Sequence, residues 1–585
     1  MNKNIPVIGH EADICVVGGG MAGLIAAVAA ARHGAKVLLM QDRPVLGGNA
    51  SSEIRMWIRG ADGKENRETG ILQEIELENI YRNPMMNYSL WDSVLYSAAA
   101  REKNIEILMN TSCLDCAMEG GRVASVTGWQ LTTYSFHRVT AALYLDCSGD
   151  SILAPLTGAA YRVGREAKDE FGEYAGVDVP DRKVMSSSCL IQARETDHPC
   201  SFIPPEWASV FPDDEAIHLK DHDFINRDTN FWWMELGGEE DTIADSESIK
   251  ERLLKLAFGV WDHIKNHGDH GAENWELEWV GFLPGKRESR RYEGEYMLNQ
   301  SDLEEGHEFP DTVAFGGWTM DDHDPRGFER SGYSSRHIRP KVPYAIPFRC
   351  LYSRNVENLM FAGRNISATH MAMSSTRVMA TCSVIGQAAG TGAALCIRHG
   401  CLPRDVAHAH IGELRQELLE DGCMLPGSLR KQRGGFSLSL PEEEAAVLQN
   451  GWERPRGDAQ NRVLLPSGSA FSLTPDAPVC GRSLRLALDP DFSRETISTN
   501  RKYQKFAMRG QIFRDQKPLS MPAPLLRSAC VRCVLEDGSE TRFRIGDNRR
   551  PLLRIPLPDG AVRVFVEDLV PWGGEQAGLY GVDLV

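Results

Sequence analysis

The chain has 585 residues, 42% of them hydrophobic and 25% charged, which is typical of a soluble globular protein and excludes a fibrous or disordered one. This length predicts either about three or four folding units or one large nested enzyme. The formal net charge of −17, from 64 basic and 81 acidic residues, would repel a nucleic-acid backbone, so we expect no nucleic-acid partner. No apolar run approaches the roughly 18 residues that a membrane span requires, so we expect no membrane span.

The first segment, MNKNIPVIGHEA, is short and polar and lacks the basic start, apolar centre and cleavage site of a secretory signal. We therefore expect a cytoplasmic protein. The 14 cysteines are too sparse for a disulfide scaffold in so long a chain. In a reducing compartment most of them should be small buried hydrophobic side chains.

A strand, a glycine turn and a helix are predicted at the start of the chain. Residues 13–17 (DICVV) are an apolar run, GGGMAG follows at once, and small apolar residues then continue to Gly34. In this context Gly18 allows a tight turn, Gly20 lets the backbone approach a pyrophosphate, and Gly23 lets the helix lie close to the strand. The helix N-terminus would then face the phosphates. The pattern is typical of a dinucleotide-binding fold.

A second strand, KVLLM, ends just before Gln41, Asp42 and Arg43. An acidic residue usually holds the ribose hydroxyls at this point. Gln41 occupies the expected place and can still hydrogen-bond a hydroxyl, while Asp42 is the neighbouring alternative. Arg43 could meet a 2′-phosphate, although this does not strongly favour NADP. The ribose contact is left open between Gln41 and Asp42.

A second glycine pair follows the second strand, in the sequence PVLGGNASSEIR. A plain nicotinamide-binding fold does not need Gly47 and Gly48. They resemble the second pyrophosphate loop of the glutathione-reductase-like flavoproteins. The resemblance makes Asn49 and Ser52 further cofactor-contact candidates.

Two distant segments extend this resemblance. Residues 143–159 form an apolar strand that ends in a Ser-Gly-Asp turn, and residues 358–396 form a strand, a glycine turn and a long small-residue helix. With them, the chain resembles the FAD-dependent oxidoreductase family related to fumarate reductase flavoproteins, from about residue 12 to about residue 400 with gaps. The cofactor-contact candidates in these two segments are Gly149, Asp150, Gly363 and Arg364.

The resemblance implies FAD as the cofactor, in an α/β fold with a glutathione-reductase-like Rossmann domain. The best-known covalent flavin link of the family uses a histidine soon after the second glycine pair, and the sequence has none between Gly48 and Gly70. We therefore expect noncovalent FAD. In the family, the helix after Thr369 points its N–H groups at the flavin ring, which makes Ser375 and Thr376 either flavin contacts or helix caps.

Three side chains are candidates for the chemistry. In the family the final strand and helix of residues 358–396 close over the flavin, and we call them the closing strand and the closing helix. His370 precedes the closing helix, and a histidine has an ordinary pKa close to neutral, so His370 is our first choice as general acid or base. Arg377 and Arg55 could bind an anionic or hydroxyl-rich substrate. Both arginines could instead pair with flavin phosphate or with acidic neighbours.

An inserted α+β substrate domain is expected over residues 161–350, where the pattern becomes irregular. The aromatic residues Trp232, Trp233, Trp318 and Tyr344 could stack on a sugar, although most tryptophans belong to a core.

Two clusters could suggest metal binding. The histidines at positions 263, 267 and 270 have helical spacing, but no neighbouring carboxylate motif completes a site. Cys113 and Cys116 form a C-x-x-C sequence, which could be a redox pair or half a metal site, but no second pair completes zinc ligation. We favour buried cysteines and predict no metal.

Short alternating segments with D-G, D-N and P-D-G turns replace long helices near the end of the chain. They predict an all-β sandwich over residues 435–585, which resembles a galactose-binding-like jelly roll. This domain could bind carbohydrate, pack against the enzyme or form a homo-oligomer contact. The FAD-binding domain is then expected in two parts, 1–160 and 351–430, around the substrate domain.

The function indicated is hydride transfer between noncovalent FAD and a polar organic substrate, such as a hydroxyl group of a sugar or glycoside. One alternative is reduction of a carboxylate-activated double bond, as in the fumarate-reductase-like relatives. Another alternative is a carbohydrate-binding protein in which the flavin is structural. The substrate and the electron acceptor are not specified by the sequence.

Overall fold

The computed structural model describes residues 5–223, 231–492, 508 and 510–585. The chain divides into two compact units. One comprises the described parts of 5–62, 85–414 and 508–518, and the other those of 63–84, 415–492 and 519–585.

The helices are α1 Met21–Arg32, α2 Ile71–Arg82, α3 Tyr88–Ala100, α4 Leu153–Thr157, α5 Lys168–Phe171, α6 Ser246–Asn266, α7 Gln300–Glu305, α8 His370–Thr376, α9 Met379–His399, α10 Pro403–Asp405, α11 Ile411–Glu420 and α12 Glu442–Gln449. Short 3-10 turns occur at Gly48–Ala50, Lys64–Asn66, Gly327–Glu329 and Phe348–Cys350, and a π-helical turn at Val406–His410.

The strands of the first unit are β1 Val7–Val17, β2 Val37–Met40, β3 Ile105–Leu108, β4 Thr111–Glu119, β5 Arg122–Gln130, β6 Ser135–Asp146, β7 Tyr161–Val163, β8 Ser187–Ser188, β9 Ile191–Glu195, β10 Glu235–Leu236, β11 Trp275–Val280, β12 Arg290–Tyr292, β13 Thr312–Gly316, β14 Met320–His323, β15 Ser335–Ile338, β16 Tyr344–Pro347 and β17 Leu359–Phe361. Those of the second are β18 Phe436–Leu438, β19 Val463–Pro466, β20 Phe471–Pro475, β21 Ser483–Leu488, β22 Leu526–Leu535, β23 Glu540–Ile545, β24 Leu552–Pro556, β25 Ala561–Pro571 and β26 Gln576–Leu584.

A mixed sheet forms the centre of the first unit, with seven strands among the described residues. Its order is β3-β2-β1-β6-β5-β4, and β17 pairs with β6. The pairs β3-β2, β2-β1, β1-β6 and β6-β17 are parallel, whereas β4 and β5 are antiparallel. The carboxyl ends of parallel strands meet at one edge, where such sheets bind their ligands. The structure confirms the predicted Rossmann-like α/β fold.

Helices α1 and α9 pack against each other through small residues. A Cβ atom on Gly386 or Gly390 would lie 2.2 or 2.1 Å from the carbonyl oxygens of Ala22 and Ala26 respectively. Among the described helices, α9 is long and apolar enough to cross a membrane, but 94% of its apolar window is buried within the protein. Its apolar sequence therefore suits a core helix.

Paired short strands and one long helix occupy residues 161–350. The strand pairs are β7-β12, β8-β10, β9-β11, β13-β16 and β14-β15. In α6, Ile249, Leu253, Leu256 and Val260 are buried at helical spacing and belong to a local apolar core. This mixture of short strands and helix is the α+β pattern expected for the insertion.

Two antiparallel sheets form the second unit, with orders β18-β20-β25-β22-β23 and β19-β26-β21-β24. Val531 and Val564 of the first sheet share one apolar core with Leu486 and Val582 of the second. The structure thus confirms the predicted C-terminal β-sandwich.

Helix α2 also belongs to the second unit, although it lies early in the sequence. Its side chains Leu77 and Ile80 are 2% and 3% exposed and join the sandwich core. The sandwich therefore includes a segment from the N-terminal part of the chain.

Candidate active site

A cavity of about 1530 Å³ lies at the carboxyl ends of the parallel strands. Its wall includes Val17 at the end of β1, Met40 at the end of β2 and Cys147 just after β6. One small ligand typically occupies roughly 300–1,000 Å³, so this cavity has room for a dinucleotide and a substrate. The sequence-predicted residues in its wall are Gly18, Gly20, Gln41, Asp42, Arg43, Gly47, Gly48, Asn49, Gly149, Asp150, Gly363, Arg364 and Arg377. Those outside its described wall are Gly23, Ser52, Arg55, His370, Ser375 and Thr376.

The first glycine turn has no space for a side chain at Gly18 or Gly23. Gly18 has φ of 102°, and a Cβ atom on it would lie 2.5 Å from the backbone of Cys147 and Ser148. A Cβ atom on Gly23 would lie 1.8 Å from the carbonyl oxygen of Gly18. Only glycine therefore allows α1 to start this close to the ends of β1 and β6.

The two glycine loops contact each other at the cavity. The N–H of Gly47 donates to the carbonyl oxygen of Gly19 at 2.8 Å, and a Cβ atom on Gly48 would lie 3.0 Å from the Cα atom of Gly20. Gly20 is the N-cap of α1, so the free N–H groups of that helix start here. This bare backbone cradle at a helix N-terminus fits the pyrophosphate of FAD.

Gln41 holds the glycine turn through its side-chain amide. Its Oε1 accepts from the N–H of Gly19 at 2.7 Å, its Nε2 donates to the carbonyl oxygen of Val45 at 3.1 Å, and the residue is 2% exposed. The carboxylate of Asp42 is 58% exposed and also lies in the cavity wall. Asp42 is therefore the better placed of the two to accept from a ribose hydroxyl.

Arg43 lies beside the second glycine loop, with Nη2 3.8 Å from the Cβ position of Gly48. Its Nη1 is buried, makes no hydrogen bond within the described residues and lies 3.5 Å from the Glu53 carboxylate. A buried guanidinium nitrogen without an acceptor next to this loop fits a phosphate oxygen.

An ionic cluster connects the Ser-Gly-Asp turn that follows β6 with the segment that follows β17. Asp150 accepts from Nζ of Lys286 at 2.8 Å, from Oγ of Ser289 at 2.8 Å and from Nη2 of Arg364 at 2.5 Å. Burial raises the pKa of Asp150, but the charges of Arg364 and Lys286 outweigh this and lower it. Gly149 leaves room for the ion pair of Asp150 and Arg364, because a Cβ atom on residue 149 would lie 2.7 Å from Nη1 of Arg364.

The N-terminus that faces the cavity belongs to α9. Helix α8 ends at Thr376 and α9 begins at Met379, and Arg377, Val378 and Met379 all lie in the cavity wall. The partial positive charge of this helix end would stabilise negative charge on a reduced flavin.

Ser375 and Thr376 lie behind this wall. Both are completely buried, and Oγ of Ser375 lies 2.6 Å from the hydroxyl of Tyr344 and 2.5 Å from the carbonyl oxygen of Trp318. Ser375 thus hydrogen-bonds within the protein, whereas the buried hydroxyl of Thr376 has no hydrogen-bond partner among the described residues.

The antiparallel pair β14-β15 supplies a polar part of the wall. The register places Asp321 opposite His337. Side chains alternate along a strand, so Asp321 and His323 share one face and line the cavity, whereas Asp322 points to the other side and contacts His370.

Asp321 and His323 form a buried ionic network. Nε2 of His323 lies 3.2 Å from Asp321, and its Nδ1 lies 2.9 Å from Glu235. Nη2 of Arg377 donates to the Asp321 carbonyl oxygen at 3.0 Å and lies 3.4 Å from its carboxylate. Burial lowers the pKa of His323, but the two carboxylates outweigh it and raise the pKa. Burial raises the pKa of Asp321, but His323 and Arg377 bring it well below its ordinary value.

His337 is the more accessible histidine of this wall, with 37% of its side chain exposed. Its Nε2 lies 3.1 Å from the hydroxyl of Tyr333 and 3.2 Å from Oγ of Ser335. Oδ1 of Asp321 lies 3.5 Å from the same nitrogen and has no hydrogen-bond partner among the described residues. Oδ1 of Asp321 is therefore placed to accept a hydrogen bond from an N–H group at Nε2.

Aromatic rings lie next to these groups. The ring of Trp232 is 5.3 Å from that of His323 and 5.7 Å from that of Tyr333, between centroids. Trp318 lies in the same wall, and Trp233 is 5% exposed. Tyr344, in contrast, is completely buried outside the wall and belongs to the core.

His370 is held in a buried ionic network behind the wall. Nδ1 lies 2.9 Å from Glu288, Nε2 lies 3.0 Å from Asp322, and the backbone N–H donates to Glu166 at 2.8 Å. Burial disfavours the imidazolium, but Glu288 and Asp322 outweigh it and raise the pKa of His370 to about 10. With both ring nitrogens bonded to carboxylates, His370 is placed to stabilise the fold next to the site.

Between about pH 6.5 and pH 10, the Tm of His370→Gln should fall less than that of the wild type. Because the pKa is raised on folding, the stabilisation is complete below about 6.5 and is lost as pH rises towards about 10. The difference in Tm between wild type and His370→Gln should therefore shrink over that range in thermal melts. His198, with 69% of its side chain exposed, gives a control, since His198→Gln should follow the wild type. A constant Tm difference would contradict this account.

Arg55 and Ser52 serve the packing of the loop after the second glycine pair. The Arg55 guanidinium lies 4.4 Å from the ring centroid of Tyr88 and 4.3 Å from that of Trp279, and donates to Gln192 at 2.5 Å. The N–H of Ser52 donates to Asp92 at 3.0 Å. Neither residue lines the described cavity, so each acts here through neighbouring protein groups.

Cys113 and Cys116 are free thiols on β4. Burial raises the pKa of Cys113 to about 12 and that of Cys116 to about 11. Both thiols are therefore protonated near neutral pH, which disfavours thiolate chemistry.

The residues that the sequence analysis missed are Asp321, His323 and His337. In MDDHD, from Met320 to Asp324, Asp321 and His323 are two residues apart, a spacing that places both side chains on one face of a strand and could have indicated a polar face. The pairing with His337 depends on strand register, which the pattern alone does not give.

Comparison with known proteins identifies the family. The family model "FAD dependent oxidoreductase" matches residues 13–418. A search of curated proteins gave no match.

Several solved structures are similar. A geranylgeranyl bacteriochlorophyll reductase-like protein from Thermoplasma acidophilum is 15% identical, with 71% of this chain and 84% of that chain covered and a TM-score of 0.30. A variant of the E. coli quinol fumarate reductase FrdA is 12% identical, with 70% and 75% covered and a TM-score of 0.27. The anhydrotetracycline hydroxylase OxyS from Streptomyces rimosus is 10% identical, with 70% and 69% covered and a TM-score of 0.31.

The glycine cradle, the parallel sheet and the closing helix are thus those of a flavin-binding domain, and the family match covers more than half of the chain. The protein belongs to the FAD-dependent oxidoreductase family and is a flavoenzyme with FAD as its cofactor.

Proposed function

We propose that the protein oxidises a hydroxyl group of a sugar or glycoside. The observation that carries this proposal is the cross-strand pair Asp321–His337 in the cavity wall, next to the rings of Trp232 and Tyr333. Alcohol oxidation requires a group that takes the hydroxyl proton, and aromatic rings next to polar groups suit a sugar face.

His337 is the proton acceptor in this proposal, through Nε2. The hydroxyl of Tyr333 or of Ser335 can donate to the single lone pair of that nitrogen, and a substrate hydroxyl could take the place of either donor. Once Nε2 is protonated, Oδ1 of Asp321 can accept from it. Arg377 holds Asp321 in place through its backbone oxygen and carboxylate.

FAD, when bound, supplies the acceptor for the hydride removed from the carbon. The N-terminus of α9 contributes a positive electrostatic potential where negative charge would develop. The carboxylates of Asp221 and Asp223 also line the cavity and can accept hydrogen bonds from further hydroxyl groups.

A second candidate is reduction of a carboxylate-activated double bond. Arg59 and Arg339 line the same cavity and could clamp a carboxylate. The other arginines of the wall are ion-paired: Arg377 with Asp321, Arg287 with Glu235, Arg364 with Asp150 and Arg43 with Glu53. The positive charges of Arg59 and Arg339 act on the carboxylate of Asp62. This pairing makes the hydroxyl reaction our first proposal.

Anaerobic mixing tests both candidates. The oxidised enzyme, mixed with sugars, glycosides, hydroxy acids and amines, should lose its flavin absorbance near about 450 nm with a sugar or glycoside. Free FAD with the same compounds is the control and should stay oxidised. Rapid reoxidation of the reduced enzyme by fumarate-like acids, with no bleaching by any sugar or glycoside, would instead establish the second candidate.

A further inference from the structure

Four side chains outside the cavity wall bring their metal-binding atoms together. They are Asp214, His222, His263 and His270, and one donor atom from each lies within 4.8 Å of all the others. We propose that these four residues bind a structural Zn²⁺ ion.

The cluster joins a helix end to a distant loop. His263 lies in the last turns of α6, and His270 follows the helix, while Asp214 and His222 come from the segment 211–223. His267, which shares the helical spacing, contacts Asp262 at 3.1 Å instead. The helical spacing of the histidines therefore identifies only two of the four proposed ligands, His263 and His270.

Two of the histidines are oriented by backbone carbonyl groups. Nδ1 of His263 lies 2.8 Å from the carbonyl oxygen of Phe211, and Nδ1 of His222 lies 2.9 Å from that of Lys220. A carbonyl oxygen only accepts, so each Nδ1 carries the proton and each Nε2 presents a lone pair. Metal-binding histidines are commonly fixed in this way.

These lone pairs face donor atoms of Asp214 and His270. Nε2 of His263 lies 3.1 Å from Oδ1 of Asp214, and Nε2 of His222 lies 3.1 Å from Nδ1 of His270 and 3.7 Å from Oδ1 of Asp214. A cation in place of the protons shared between these atoms would be bound by all four side chains. Zinc bonds of about 2.0–2.2 Å place tetrahedral ligand atoms about 3.3–3.6 Å apart, which is close to these three distances. The wider separations in the set, up to 4.8 Å, would shorten when the ion binds.

Three imidazoles and one carboxylate suit Zn²⁺ in tetrahedral coordination. Because the protein supplies all four ligands, no position is left for a substrate, and the role is structural.

The ion would also fix part of the cavity wall. Asp221 and Asp223 flank His222 in the sequence, and both line the cavity. Zinc binding would thus hold the loop that presents these two carboxylates.

Metal analysis of the full-length protein tests the site. After incubation with ZnSO₄ and dialysis, the wild type should retain about one zinc per chain. The variants His270→Gln and Asp214→Asn should retain almost none, whereas His267→Gln, changed on the same helix end, should retain the wild-type amount. Co²⁺ in place of zinc should give the intense visible absorption of a tetrahedral site.

A chelator provides a second measurement that does not depend on the yield of the variants. EDTA should lower the Tm of the wild type and of His267→Gln but leave that of His270→Gln unchanged. Wild-type protein that retains no zinc, or a His267→Gln variant that loses zinc as His270→Gln does, would overturn the proposal.

Discussion

Replacing Gly20 by Val should abolish FAD binding while the protein remains folded. Gly20 has φ of −63° and ψ of −179°, which any residue can adopt, and a Cβ atom there meets nothing closer than the Cα atom of Gly48 at 3.8 Å. The added methyl groups would occupy the cavity side of the glycine cradle, where the pyrophosphate fits. We expect Kd for FAD to rise at least about 100-fold, equivalent to about 2.7 kcal/mol.

The measurement is FAD titration followed by flavin fluorescence, with circular dichroism and thermal melting of the apoprotein. Gly9→Val is the matched control, because Gly9 lies on β1 with nothing within 4 Å of its Cβ position and lies outside the described cavity wall. It should bind FAD as the wild type does. Gly18→Ala, in contrast, should destabilise the fold, because its Cβ would lie 2.5 Å from backbone atoms. Normal FAD affinity in Gly20→Val would refute the placement of the pyrophosphate.

Replacing His337 by Gln should slow flavin reduction by the substrate about 10²–10⁴-fold, which is the usual contribution of a general base. The side chain is 37% exposed, so the change should leave FAD affinity and Tm near their wild-type values. The measurement is the anaerobic reduction rate with the sugar or glycoside that bleaches the wild-type flavin.

His307→Gln is a suitable control for that experiment. His307 contacts Asp302 and Glu305 and lies outside the described cavity wall. Its variant should reduce flavin at the wild-type rate. A wild-type rate in His337→Gln, or a loss of FAD together with activity, would reject His337 as the proton acceptor.

The dinucleotide-binding part of the fold could be predicted because its requirements are local. Gly18 and Gly23 lie where a Cβ atom would collide with backbone, and Gly47 and Gly48 have φ of 105° and 59°. These requirements appear directly in the sequence as glycines at fixed spacing. The family match and the parallel sheet confirm the prediction of an FAD-binding α/β domain.

The polar wall could not be predicted in the same way. Asp321 and His337 meet only through the register of β14 and β15, and His370 lies behind the wall because Asp322 and Glu288 hold it there. The position of His370 just before the closing helix suggested a catalytic role. Its burial and its ion pairs depend on residues far away in the sequence, so they could not be predicted from the local pattern. The assignment of catalytic roles in this wall stays a prediction.

The residue at which the closing helix begins could not be predicted from the sequence either. The serine-rich segment before Arg377 has the composition of an N-cap, which led to Ser375 and Thr376 as flavin contacts. The structure instead has a break between α8 and α9, and the N-terminus in the cavity wall belongs to Met379. Two helices in succession could not be separated by composition, since no proline or glycine marks the break.

Helix α2 shares its core with strands that are made much later. Leu77 and Ile80 leave the ribosome early, but β18 to β26, which complete their surroundings, come from the last part of the chain. At about 5–20 residues per second, the rest of the chain takes roughly 25–100 s to synthesise. During that time the apolar side of α2 lacks its native partners, so we expect it to require shielding by chaperones during translation.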